Sequence, residues 1–156
     1  MPTVSSPQHW AYTLQPPRSP GAPRVARAML RAALDHHGFG ELGETAELLT
    51  SELVTNSYLH TDGPSSLRVR HVRGDRLRVS VWDTGPTIPP PFDRPVDLLD
   101  GLGAAWDAEN GRGLLLVRLC AANWGGYPIG AELFGMEGKL LWFELVTGWE
   151  AFDVAA

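Results

Sequence analysis

The sequence predicts a single α+β domain, and three stretches carry that prediction. Between Glu41 and His60 (ELGETAELLTSELVTNSYLH), Leu42, Ala46, Leu49 and Leu53 recur at spacings of four, three and four, which marks a helix with one buried stripe. Ser66 to Val72 and Arg76 to Asp83 flank Gly74-Asp75 as a β-hairpin would, with Leu77, Val79 and Val81 on one face and Arg76, Arg78 and Ser80 on the other. Lys139 to Val146 reads as a strong closing strand.

The remaining elements follow in chain order. Met1 to Gln8 is a loose lead-in, and Trp10, Tyr12 and Leu14 alternate as in a short edge strand. PPRSPGAP then interrupts regular structure up to Pro23. A helix from about Ala22 to His37 presents a broad apolar face (Val25, Met29, Ala33; Ala26, Leu30, Leu34), and Gly38 suits its end. Gly38, Gly40 and Gly43 match the dinucleotide-binding pattern literally, but that mechanism needs a strand before the glycines and here a helix precedes them. They read as a helix-to-helix connection. Asp62 to Ser65 is turn chemistry, and Thr84 to Asn110 is long, rich in proline and glycine, and poorly periodic, as functional lids or disordered segments are. Gly113 to Asn123 is apolar on nearly every side, as a deeply packed helix would be. A short strand (Trp124 to Tyr127) and a turn-rich loop (Gly130 to Gly138) precede the closing strand. The domain is expected to span 9–150, with 151–156 a tail.

Composition narrows the function classes. The 156 residues suffice for one sizeable core, and 44% hydrophobic and 20% charged content are ordinary for a globular protein. A formal charge of −5 with scattered basic residues, all arginine except Lys139, argues against a nucleic-acid partner. Cys120, the single cysteine, lies in an apolar run and reads as a buried small residue, which suits a reducing compartment. With no run of 18 apolar residues and no basic-then-apolar leader, the expectation is a cytoplasmic domain without a membrane partner.

Three clusters carry potential chemistry. Continued by three and then four residues, the stripe of the 41–60 helix lands on Asn56 and His60, and Glu52 lies one turn before Asn56 on the same side. A buried amide or carboxylate without partners costs about 1–3 kcal/mol. Either these groups mark a helix end emerging into solvent, or they face a ligand. Asp83, in Val81-Trp82-Asp83-Thr84-Gly85, stands where a strand ends. It is either turn chemistry or an acceptor for an exocyclic amine, with Gly85 letting a flat ring lie against the backbone. Gly111-Arg112-Gly113 opens a helix whose first amides attract anions, and Arg112 opposes the helix dipole unless an anion binds nearby. No GxxxxGK[ST] loop occurs, so a phosphate would need a metal and backbone amides. Mg²⁺ held by the amide oxygen of Asn56 and by phosphates is a plausible set. No Cys/His spacing supports zinc, and His36-His37 reads as solvated surface.

The three clusters, in this order, resemble the GHKL ATPase superfamily, which includes gyrases, heat-shock chaperones and histidine kinases. Glu52-Leu53-Val54-Thr55-Asn56 with His60 resembles its N-box, Asp83-Thr84-Gly85 its first glycine box, and Gly111-Arg112-Gly113-Leu114 its second. ELVTN followed by a histidine, GRGLLLV, an early AR-containing helix and the closing Trp142 to Leu145 (WFEL) are most similar to the short anti-sigma-factor serine kinases of bacterial partner switching. The likeness runs from about Trp10 to Val146. It implies a two-layer α/β sandwich, a mixed and mostly antiparallel sheet with helices on one face, binding ATP with Mg²⁺. In that reading Asn56 is the Mg²⁺ ligand and Glu52 the general base. Asp83 takes the adenine amino group, with Gly85 under the ring. Gly111, Arg112, Gly113 and Leu114 line the phosphates, and 84–110 is the lid. His60 matches the pattern without a defined role. The implied partners are a sigma factor or its antagonist, and a second copy in a homodimer. Two departures stand out: Tyr58, where a small or aliphatic residue is usual and where it would crowd the site, and a longer 128–138 loop carrying Phe134 and Met136.

Two other classes compete with the kinase. One is a non-catalytic module in which nucleotide sets the shape of a protein-binding surface. The other is a dimeric aspartic protease, since VWDTG also fits that active-site turn, although two carboxylates would have to share a proton.

Overall fold

The computed structural model describes residues 9–89, 92, 112–130 and 137–148. The first eight residues, most of the proposed lid, the 131–136 segment with Phe134 and Met136, and the C-terminal tail lie outside the described residues.

Five strands form one sheet: β1 (Ala11–Leu14), β2 (Ser65–Arg73), β3 (Arg76–Asp83), β4 (Asn123–Ile129) and β5 (Gly138–Val146). Their order is β1-β2-β3-β5-β4. Among the described residues all four pairings are antiparallel, in line with the mostly antiparallel sheet expected. The hairpin reverses at Gly74, whose φ of +55° a side chain would resist. Among the described residues three helices, α1 (Ala22–His36), α2 (Gly43–His60) and α3 (Arg112–Cys120), complete the two-layer α+β sandwich. α2 is central: it touches α1, α3 and β3.

The core lies between the layers. Ala26, Leu30 and Leu34 of α1, Leu49 and Leu53 of α2, and Val69, Leu77, Val79 and Phe143 of the sheet are fully buried. This is the alternation read from the hairpin, and it selects which strand face the helices cover. The opposite face carries Arg78 stacked on Trp142, 4.2 Å from the ring centroid, and Arg76 and Arg78 both paired to the buried Glu144 at 3.0 and 2.9 Å.

Several elements differ from expectation for local reasons. The buried face of α1 is narrower than read, because Val25, one residue before Ala26, points off the stripe and is exposed. α3 is amphipathic rather than apolar all round: Leu114 and Val117 are buried, while Leu116, Arg118, Leu119 and Cys120 are half-buried. Cys120 is therefore not a core residue, although burial still raises its thiol pKa. β4 is longer than Trp124 to Tyr127 and accepts Pro128 because it is an edge strand. The Gly38/Gly40/Gly43 segment is a helix-to-helix connection containing one 3-10 turn (Gly40–Leu42), as read. No helix among the described residues is long and apolar enough to cross a membrane.

Candidate nucleotide site

The helix α2 delivers the first two groups. Its stripe stays buried through Leu53 and Val54 and then, with no change of face, through Asn56 and Ser57. His60 keeps the angular position of the stripe but is exposed, because it lies on the last turn, beyond the point where α2 meets the end of β3. Asn56 is buried, and its Oδ1 has no hydrogen-bond partner. Thr50 Oγ1 and His71 Nδ1 share that condition. Thr50 stands one turn from Glu47, a carboxylate already paired with Arg31 at 3.2 Å, and the Asn56 oxygen stands one turn from another half-buried carboxylate. That carboxylate is Glu52, whose pKa burial pushes above the usual range.

The end of α2 is tied down from outside. Arg18 donates to the carbonyls of Thr61 at 3.0 Å and Tyr58 at 3.1 Å, and its guanidinium lies 4.6 Å from the centroid of the Tyr58 ring. A cation at a helix C-terminus is electrostatically favourable. Tyr58 thus serves as a platform for Arg18.

Asp83 ends β3 and is 1% exposed. Its Oδ1 accepts from Lys139 Nζ at 2.7 Å and from the Gly85 amide at 2.9 Å, while its Oδ2 accepts from Ser57 Oγ at 2.8 Å. The Gly85 bond is the turn chemistry expected at a strand end. The Ser57 bond brings the end of α2 to the Asp83-Thr84-Gly85 turn, and Ser57 directly follows Asn56. Lys139 reaches Asp83 because β3 and β5 pair Asp83 with Lys139 in register. The two chains approach so closely that a Cβ on Gly138 would lie 2.1 Å from the Asp83 carbonyl oxygen. Gly85 packs onto the ion pair: a Cβ there would sit 2.8 Å from Lys139 Nζ and 3.0 Å from Thr61 Cγ2.

Ser57, Gly138 and Lys139 are the site residues that sequence reasoning missed. Of the second glycine box, Gly111 and the side chain of Arg112 lie outside the described residues, while Arg112 and Gly113 open α3 as expected. Leu114 is 1% exposed within the core, so it anchors the helix by packing. Neither Asn56 nor Asp83 lines the cavity of about 420 Å³ on the open sheet face, or the one of about 410 Å³ beside Trp10 and His37.

The residues present fit the groups that the fold family implies. An unpaired, buried amide oxygen next to a carboxylate is a donor set for a hard cation. No cluster of three or more His, Cys, Asp or Glu that would hold a metal by itself occurs among the described residues, so a bound cation would share its other ligands with phosphate and water.

No curated protein matches the chain. Residues 17–122, well over half of its length, match the family described as the histidine kinase-like ATPase domain. That stretch holds α2, the hairpin and α3, and therefore Glu52, Asn56, Ser57, Asp83 and Gly85, but ends before Lys139. The chain belongs to the histidine kinase-like ATPase domain family, which makes it an ATP-binding domain.

Proposed function

We propose that this domain is a Mg-ATP-dependent regulator of the anti-sigma type, a protein-serine kinase that sequesters a sigma factor or phosphorylates its antagonist. One observation carries the reading: a buried, unpaired Asn56 Oδ1 stands one turn from a half-buried Glu52 and next to the Ser57 that holds Asp83. Asn56 Oδ1 would hold Mg²⁺, and the ion when bound supplies charge neutralisation to the phosphates. Glu52 would take the proton of the attacking serine hydroxyl. Its burial-raised pKa moves it toward the operating pH, where a general base works best. Asp83 keeps one lone pair beyond its three bonds for a base amine, and Ser57 and Gly85 fix the orientation of that carboxylate. Phosphoryl transfer asks mainly for positioning and electrostatics, and these groups provide both.

The Lys139–Asp83 pair speaks against the protease reading. A carboxyl dyad needs a second carboxylate on Asp83, and a buried ammonium holds that place.

The test is incubation with γ-labelled ATP, Mg²⁺ and candidate antagonists. Label on a serine of the antagonist, lost in Glu52→Ala with nucleotide binding kept, supports the kinase. Stable complex formation without label would establish the non-catalytic module instead.

A further inference from the structure

Lys139 is the chain's only lysine, lies outside the family-matched stretch, and is buried beside Asp83. Its ammonium has three N–H donors, and one goes to Asp83 Oδ1. The other two have no acceptor among the described residues, on a side chain only 3% exposed. Buried donors without acceptors are costly, so the group calls for a ligand that accepts. The backbone of Gly85 comes close to it without a side chain between them, since a Cβ on Gly85 would lie 2.8 Å from Lys139 Nζ and 3.2 Å from Asp83 Oδ1.

We infer that Lys139 reads the nucleobase directly, donating to a ring nitrogen while Asp83 accepts from the neighbouring exocyclic amine. This rests on the ATP reading above and deepens it. The count of donors and acceptors selects the base. Asp83 has three of its roughly four lone-pair sites filled, so it offers one acceptor, whereas Lys139 offers two donors. The pairing edge of adenine shows an amine beside the acceptor N1, which gives Asp83 its one remaining donor and takes one of the two free Lys139 donors. The edge of guanine shows two adjacent donors and one acceptor, which demands more acceptors than the pair has left. Lys139 therefore selects a 6-aminopurine by a charge-assisted hydrogen bond to N1. A site that hydrogen-bonds its ligand rejects the analogue lacking that group strongly, because its own buried group is then left unpaired.

The experiment is calorimetric binding of Mg-ADP, Mg-GDP and Mg-1-deaza-ADP, in which C–H replaces N1, to the whole chain and to Lys139→Met. Wild type is expected to bind ADP at least about ten-fold more tightly than 1-deaza-ADP or GDP. Lys139→Met is expected to bring ADP and 1-deaza-ADP within about two-fold of each other, the loss of one charged hydrogen bond. A merely structural lysine would weaken both ligands equally and leave their ratio unchanged, which overturns the inference. So does a wild type that cannot tell ADP from 1-deaza-ADP, a comparison that needs no variant. Since Lys139→Met strands the Asp83 charge, the double variant Lys139→Met/Asp83→Asn provides the same ratio without a buried unpaired ion. Failure of every adenine nucleotide to bind wild type would instead sink the ATP reading, and this inference with it.

Discussion

Ser57 Oγ donates to Asp83 Oδ2 at 2.8 Å, and that bond joins the end of α2 to the end of β3. Both groups are buried, so removing the donor leaves a carboxylate oxygen short of a partner at a cost of about 1–3 kcal/mol. Ser57→Ala is expected to lower Tm by several degrees in a thermal melt and to weaken ADP binding. An unchanged Tm would mean that the bond contributes nothing to the docking of helix on strand.

Glu52→Gln should act in the opposite direction on the apoprotein. Burial raises the Glu52 pKa, so the folded chain holds its proton more tightly than the unfolded chain does. Its stability contribution is full below the unfolded value of about 4.5 and is lost as pH rises through the folded value. At neutral pH the ionised Glu52 is then a liability, and Glu52→Gln is expected to raise Tm there, with the gain vanishing below about pH 4.5. Melts at pH 4 and pH 7.5 check this. A lower Tm at pH 7.5 would show that the carboxylate has a stabilising partner.

Glu144 gives the mirror-image case. Burial alone would raise its pKa, but hydrogen bonds from Arg78 and Arg76 outweigh burial and hold it low. Its contribution is therefore present above the unfolded value and is lost as pH falls through the folded one. Glu144→Gln is expected to destabilise clearly at pH 7 in urea unfolding, and the gap to wild type should close under acid. A gap independent of pH would point to packing rather than charge.

Gly138→Ala probes the approach of β5 to β3. A Cβ 2.1 Å from the Asp83 carbonyl oxygen forces backbone apart, and overpacking of this kind costs roughly 1–3 kcal/mol. A lower urea midpoint with an unchanged m-value is the expected outcome.

How much of this was legible in the linear chain differs by residue. The hairpin, α1, α2 and the closing strand were readable because period and turn residues are local properties. Asn56 was readable too, since a polar residue interrupts an otherwise apolar stripe. His60 kept the period yet is exposed, because periodicity fixes direction around a helix and says nothing of where the covering layer stops. Ser57 was hidden as the next-door neighbour of a more conspicuous residue. Lys139 was hidden more deeply: it is a lone lysine at the start of a strand, and only the register of β3 against β5 places it on Asp83. The second glycine box and the lid, which the resemblance puts on the phosphate side, fall in 84–114, most of it outside the described residues.

The central claim is that Asn56 Oδ1 awaits a metal-bound nucleotide, and calorimetric titration of Mg-ATP into wild type and Asn56→Ala tests it most directly. Saturable binding by wild type that is lost on adding a chelator, and no detectable binding by Asn56→Ala with its fold intact by circular dichroism, is the expected result. Equal affinity in the two proteins would contradict it.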